Sequence, residues 1–318
     1  MVKIAIAGGS SGVGREFTDA LVATNKHEIL LLSHKDAPPT LPARTTWIKT
    51  TYSSTAHLAE VLSGVHTVLS FIIEQESETS PVQRRLIDAC VVAGVTRFAP
   101  SEWASSSLRH LPWYAYKASI RRYLAELNKE KQVLQYALFQ PGLFADYLAA
   151  PHRTSRYIVP LQIPVDFANR RAILVDGVDA ENARITLTTV ADFAAVMVKA
   201  VEWTGEWPVD SGIAGTTMTL SELVRLGEKV RGGIPFNIEK VSKEDFLSGT
   251  WKTSWVPRNE HPSVPVEMQE GFARPATEGI CLAFAEGAFG VRPVWNGLLP
   301  GFGFEGAEGF LGRVWGKE

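Results

Sequence analysis

The stretch KIAIAGGSSGVGREF, residues 3–17, limits the fold more than any other. Ile4–Ala7 is a short apolar run that reads as a buried strand, and the chain then passes through glycines into Gly14–Ala23, which reads as a helix. Gly8, Gly12 and Gly14 follow G-x-x-x-G-x-G. Gly9, Gly12 and Gly14 match the dinucleotide pattern only in part, because Ser11 stands where its middle glycine would be. A tight turn of this kind brings backbone N–H groups, and the positive end of the helix, against a pyrophosphate. Ser10 and Ser11 add hydroxyl donors, and Val13 lies inside the turn. Isolated, the motif is only a glycine-rich turn; between a first strand and a first helix of an alternating chain, it points to a dinucleotide.

The alternation continues. Glu28–Leu32, Trp47–Thr50 and Thr67–Ile72 read as strands. Ser80-Pro81 is a helix start, with a serine N-cap and proline at the first helical position. Val82, Leu86, Cys90 and Ala93 then share one face, and Gly94 ends the helix. Thr96–Ala99 is the next strand, 113–129 a helix, and Val133–Phe139 a further strand. The expected fold is therefore α/β, a doubly wound parallel sheet over residues 1–150. Beyond about residue 142 the rhythm breaks, with prolines at 151, 160 and 164. A smaller C-terminal domain over 151–318 is expected, with a segment near 186–202 returning to the sheet. Thr189 and Asp192 open a helix there, and Thr219–Arg231 is another. The tail from Arg292 to Gly316, rich in Gly, Pro and aromatic residues, reads as irregular cover.

A formal net charge of -2 gives no broad basic face, so neither nucleic acid nor an anionic membrane surface is an expected partner. No apolar run is long enough to span a membrane, and the N-terminal run is too short for a signal peptide. Cys90 and Cys281 lie in apolar helix-like runs and read as buried free thiols, which fits a reducing, cytoplasmic setting. The seven histidines show no metal-ligand spacing, and no metal site is expected.

The second strand ends LLLSHKD. A free ribose 2′-hydroxyl is usually met there by Asp or Glu. Ser33, His34 and Lys35 stand there instead, and a cation suits a 2′-phosphate, so NADP(H) is favoured over NAD(H). The alternative is a solvated loop lysine, and Asp36 follows directly.

WYAYKAS, 113–119, places a lysine among aromatic residues. A tyrosine four positions before the lysine would make the usual short-chain dehydrogenase pair, but Trp113 is there. On a helical wheel Trp113, Tyr116, Ile120, Leu124 and Leu127 form one stripe. Lys117 lies on its shoulder, whereas Arg121 and Arg122 take more solvent-facing arcs. Two readings are open: a positioned amine, or a snorkelling lysine with a wet head.

RFAPSEWA (97–104) followed by YKASIRRYL (116–124) resembles the NmrA-like and isoflavone reductase-like branch of atypical short-chain dehydrogenases. So do GGSSGVGR, GVHTVLSF (64–71), LIDACVVAGV (86–95), FQPGLFADYL (139–148), TLTTVADFA (186–194) and MTLSELV (218–224). The resemblance implies an NADP-binding sheet domain, a small C-terminal substrate domain, and a catalytic lysine at Lys117 in place of the Tyr-x-x-x-Lys pair. Two positions depart from the family: Ser11 for a usual glycine, and Thr50-Thr51-Tyr52 where an acidic residue often ends the third strand.

Glu102 ends a strand, where doubly wound folds place ligands, and Phe144 and Tyr147 follow the sixth strand; Phe71 and Phe144, together with Lys117, are candidates for the cofactor, and Glu102, Trp103, Tyr114 and Tyr147 for a substrate. Glu102 is equally readable as a helix cap or ion-pair partner, and Tyr147 as core. The implied activity is NADPH-dependent reduction of a C=C, C=N or C–O carbon in a conjugated aromatic or heterocyclic molecule of secondary metabolism. Alkaloid biosynthesis is one such setting, and the reduction could be coupled to cyclisation. Lys117 would be an acid or base, or would hold the nicotinamide ribose. The alternative is an NADP(H)-binding redox sensor. The chain is expected to be a monomer or homodimer.

Overall fold

The computed structural model describes residues 1–10, 12–177, 183–258 and 260–316. They fall into two compact units. The first comprises Met1–Trp103, Trp113–Phe139 and Phe193–Ser211; the second comprises Ala104–Pro112, Gln140–Asp192 and Gly212–Glu318.

The first unit is built on a parallel six-stranded sheet flanked by helices. Its strands are β1 (Lys3–Ala7), β2 (Glu28–Ser33), β3 (Thr45–Lys49), β4 (Thr67–Ser70), β5 (Arg97–Ala99) and β6 (Gln135–Tyr136). The order is β3-β2-β1-β4-β5-β6. Every neighbouring pair is parallel, so all carboxyl ends open onto one edge of the sheet. The chain reverses its winding between β1 and β4, where such sheets take ligands. Helices α1 (Gly12–Ala23), α2 (Thr55–Val61), α3 (Pro81–Ala93) and α4 (Ala115–Leu127) connect successive strands, except that a loop alone leads from β2 to β3. Ala5, Ala7, Leu30, Leu32 and Phe98 of the sheet share a core with Leu58, Leu86, Ile87, Ile120 and Leu124 of α2–α4. Ile4 and Ile6, which alternate with them, are also fully buried, so both faces are covered.

The α3 start differs from its sequence expectation. Ser80 precedes the helix, but it sits in the left-handed region (φ 51°) and its side chain makes no capping bond. Its hydroxyl donates to the Glu74 carboxylate. That same carboxylate accepts the Val82 N–H at 2.9 Å and the Gln83 N–H at 3.1 Å. Glu74 is therefore the cap: two oxygens satisfy two helix-end donors, and the negative charge faces the positive helix end. Glu74→Ala is expected to lower stability by about 1–2 kcal/mol. A chemical-unfolding midpoint equal to wild type at unchanged slope would remove Glu74 from this role.

Two other expectations are corrected. The strand foreseen over Val133–Phe139 divides. Gln135 and Tyr136 pair with β5, while the Leu138 N–H turns to the Val209 carbonyl at 2.8 Å. The tail foreseen as irregular holds helices Val294–Leu298 and Ala307–Trp315. Gly309 and Gly312 weaken helical propensity there, but burial of Phe310, Leu311 and Trp315 on one face overrides it.

In the second unit, Arg171–Val175 pairs in parallel with Asn237–Val241 and antiparallel with Val165–Asp166. Arg184–Thr188 pairs with Thr216–Thr219 and with Leu143–Phe144. The helix Val266–Ala285 continues through Pro275. The helix Val190–Glu202 starts where expected, with the Asp192 N–H donating to the Thr189 hydroxyl at 3.0 Å. Cys90 and Cys281 are buried free thiols. Among the described residues, no helix is long and apolar enough to cross a membrane, and no cluster of His, Cys, Asp or Glu could hold a metal.

Candidate functional site

The glycine loop follows the carboxyl end of β1. The Gly8 N–H donates to the Leu32 carbonyl at 3.1 Å, which ties the loop to β2. Gly14 is needed for packing: a Cβ there would lie 2.9 Å from Cγ of Phe71 and 3.0 Å from Cα of Gly9. Gly12, the first residue of α1, is different. Its φ is +51°, and a Cβ would meet nothing within 4 Å. Open space at a helix N-terminus, with no acidic residue in the first turn, fits a negatively charged group such as a diphosphate. Ser10 and Val13 are half-buried on either side. Ser11 lies outside the described residues. Gly9 serves packing, because a Cβ there would lie 2.4 Å from Cγ2 of Ile6.

At the end of β2, the buried Ser33 hydroxyl accepts the Lys35 N–H at 3.1 Å, turning the chain so that His34 and Lys35 are exposed. His34 meets the Tyr52 ring edge-on at 5.2 Å, and the Tyr52 hydroxyl donates to the Leu32 carbonyl. The Asp36 carboxylate faces Lys49 at 2.6 Å. The acid that follows the lysine thus has its own cation.

At the end of β4, Phe71 is buried between two rings. Phe17 stacks on it at 6.0 Å and Trp103 at 4.5 Å. Trp103 also meets Phe139 and Phe193 and donates its indole N–H to the Ser70 carbonyl at 2.9 Å. Its φ of +33° is rare for a bulky residue. The ring expected to meet a substrate is therefore held in packing within the sheet unit.

The residues after β5 form a polar node. The Ser101 N–H donates to Oε1 of the buried Gln83 at 3.0 Å. Gln83 in turn donates to the Ser80 hydroxyl at 3.3 Å, so the α3 start and the β5 end are joined. Glu102 is fully buried. Its carboxylate accepts Nε of Arg121 at 3.1 Å on each oxygen and Nη2 at 2.6 Å. Of the two readings for Glu102, the geometry presents the ion pair. Arg121 is correspondingly not on the solvent arc that the wheel suggests.

Lys117 is 5% exposed, and its Nζ donates to the main-chain carbonyl of Glu102 at 2.5 Å. The ammonium also lies 4.4 Å from the Tyr114 ring centre and 5.5 Å from that of Tyr116. The amine is not wet, so the snorkelling reading does not describe it. Burial pushes its pKa down to about 8; the Glu102 carboxylate opposes this shift and Arg121 adds to it. Burial raises the Tyr116 hydroxyl far above its ordinary range, with Tyr114 adding and a hydrogen bond to Ser101 opposing. Tyr114 is also raised, chiefly by burial. Of these three side chains, the lysine is the one brought near neutrality.

Glycine loop, β2 end, Phe71, Trp103, Glu102, Tyr114 and Lys117 all belong to the first unit. Phe144 and Tyr147 lie in the second, their ring centres 6.1 Å apart; Phe144 is buried and Tyr147 half-buried. Sequence reasoning missed Gln83 and Arg121. A glutamine beside Val82 on the apolar side of α3 was the available signal for the first.

The NmrA-like family model matches residues 2–262. The oxidoreductase swnN of Metarhizium robertsii is 28% identical over 258 residues, covering 73% of this chain and 74% of that protein. Among solved structures, AtPrR2 with NADP+ and (+)pinoresinol aligns with a TM-score of 0.65 at 17% identity, covering 98% of both chains. An isoflavone reductase aligns with a TM-score of 0.66 at 17% identity, again over 98% of both. At that identity the two structures establish the shared fold.

Proposed function

The chain belongs to the NmrA-like family, and we propose that it is an NADPH-dependent reductase of a conjugated aromatic or heterocyclic small molecule. The reading rests most on the Lys117 amine, buried at the carboxyl edge of a parallel sheet and pushed to a pKa of about 8. A lysine placed for solubility has neither property. The alignment with AtPrR2 holding NADP+ and (+)pinoresinol, and the relative named as an oxidoreductase, support the cofactor and reaction class.

NADPH, when bound, would supply a hydride with its electron pair. Gly12 and the α1 N-terminus would hold the diphosphate, and Lys35 the 2′-phosphate. The Lys117 ammonium gives the matching proton to the atom that gains charge, whether nitrogen, oxygen or the far carbon of a conjugated bond. The Glu102 carbonyl fixes where Nζ sits while it does so. The same arrangement could serve a reduction that triggers ring closure.

The test begins with native mass spectrometry of protein purified without added ligand, to read which nucleotide accompanies it. NADPH oxidation is then followed with quinone, enone and cyclic imine acceptors. Retained NADPH with no oxidation by any acceptor would instead favour a redox sensor.

NADPH is expected to bind at least about tenfold more tightly than NADH, because a charge-assisted phosphate contact is worth about 1.5–3 kcal/mol. The motivation is the exposed Lys35 beside an Asp36 already facing Lys49. Lys35→Ala should erase most of the preference in a nicotinamide-fluorescence titration. Equal wild-type affinities for the two nucleotides would defeat the assignment.

A further inference from the structure

Glu102 offers two different acceptors to two residues one helical turn apart. Its main-chain carbonyl takes the Lys117 amine, and its carboxylate takes Arg121. A buried ammonium normally seeks the nearest carboxylate, because charge pairing in a low-dielectric setting outweighs a bond to a neutral carbonyl. Here the carboxylate of the same residue is held by a guanidinium fork, and the amine bonds the carbonyl instead.

We propose that Arg121 is a positioning residue for the Lys117 amine, acting through Glu102: it holds the carboxylate so that the amine stays on the Glu102 carbonyl and can release its proton. The groups facing the amine are few. Tyr114 and Tyr116 present their rings. Glu102 comes from the β5 end and Arg121 from α4 itself. Farther out, Glu74 acts on Tyr116, and Arg84 of α3 donates to the Ser119 hydroxyl at 2.9 Å. Of these, Glu102 is the anion whose release would capture the amine. A lysine cannot substitute fully for Arg121, because only the guanidinium engages both carboxylate oxygens at once. The proposal rests on the reductase reading for its catalytic consequence, but the geometry it concerns is independent of substrate.

The experiment measures Lys117 itself, on the whole protein without nucleotide. Protein carrying 13Cε-lysine is titrated by NMR, with the Lys117 signal assigned by its loss in Lys117→Met. Wild type should titrate near 8. In Arg121→Met the loss of the Arg121 charge, which itself lowers the amine, and the freed carboxylate together should raise the midpoint by about 1–3 units, and the carboxylate's share is the part that the double variant below removes. Arg121→Lys should keep it nearer wild type. The double variant Glu102→Gln/Arg121→Met, which has no carboxylate to release, should bring the midpoint back down.

An unmoved midpoint in Arg121→Met, or a midpoint that stays high in the double variant, overturns the proposal. Arg121→Met leaves a buried unpaired carboxylate and could fail to fold; Glu102→Gln does not. In Glu102→Gln the midpoint should fall by less than about one unit, whereas a direct ion pair would be worth 1–3 units. A fall of about one unit or more would show that the carboxylate pairs with the amine directly rather than acting on it from a distance, and would equally overturn the proposal. Midpoints shifted as expected in the variants, with a wild type that reduces no acceptor, defeat the functional reading and leave the Arg121 role standing. Reduction with unmoved midpoints does the reverse.

Discussion

Lys117→Met should lower turnover by about 10²- to 10⁴-fold, the range that a positioned acid or base contributes. Methionine keeps the length and apolar character of the stem that packs within α4. It removes the amine and the bond to the Glu102 carbonyl. NADPH affinity should change far less, because the residues proposed to hold the diphosphate and the 2′-phosphate, Gly12 and Lys35, are other than Lys117. The pH profile supplies a sharper test. A proton donor must be protonated, and an amine with a pKa of about 8 is mostly so at neutral pH. Turnover should therefore be level below that value and fall about tenfold per unit above it. Lys117→Arg, whose guanidinium stays charged beyond pH ~12, should lose that alkaline limb whatever its remaining rate. Lys117→Met should lose it too. Undiminished turnover in Lys117→Met would move the proton donor elsewhere and revive the sensor reading.

The parallel sheet was legible because its signals are local. KIAIA, EILLL and TVLS are apolar runs too short for helices; turn residues and an amphipathic run follow the first and third, and turn residues alone lead from the second to the next strand. The α3 stop at Gly94 was legible for the same reason, and it takes φ +71° with its N–H on the Cys90 and Val91 carbonyls. The α3 start was misread because its cap comes from Glu74, six residues before Ser80, and no spacing rule reaches that far. The division of the strand at Ala137 has a similar cause: the switch is made by partners distant in sequence, the Ala137 N–H going to the Phe98 carbonyl and the Leu138 N–H to the Val209 carbonyl. In the tail, burial of Trp315 and Phe310 outweighed glycines that read as turns.

For the site, a helical wheel gives the angle of Arg121 but not its partner. Glu102 reaches it from another element, so a residue on a polar arc becomes half of a buried pair. The lysine was visible as out of place, yet its depth was not. Burial is a property of what packs over a residue, and Tyr114, Tyr116 and the β5 end do that from both sides of the sequence.

Gly12→Asp is expected to weaken nucleotide binding by about 10²-fold or more. The position has open space where a Cβ would project and stands at the first turn of α1. A carboxylate there would face a phosphate charge; two unit charges about 4 Å apart repel by about 4 kcal/mol at an effective dielectric of about 20. That converts to a factor of about 10³, which salt screening reduces. A left-handed backbone costs most side chains about 1–2 kcal/mol, and Asp and Asn bear it best. Gly12→Asn is therefore the control: it has the same shape and the same backbone cost, without the charge. Both variants should show wild-type far-UV spectra and slightly lower unfolding midpoints. Asparagine should bind NADPH moderately less well than wild type, and aspartate should bind it barely at all. The gap between them should narrow as salt is raised. Equal affinities for the two variants would mean that no phosphate approaches Gly12, and that the open space at the start of α1 has another use.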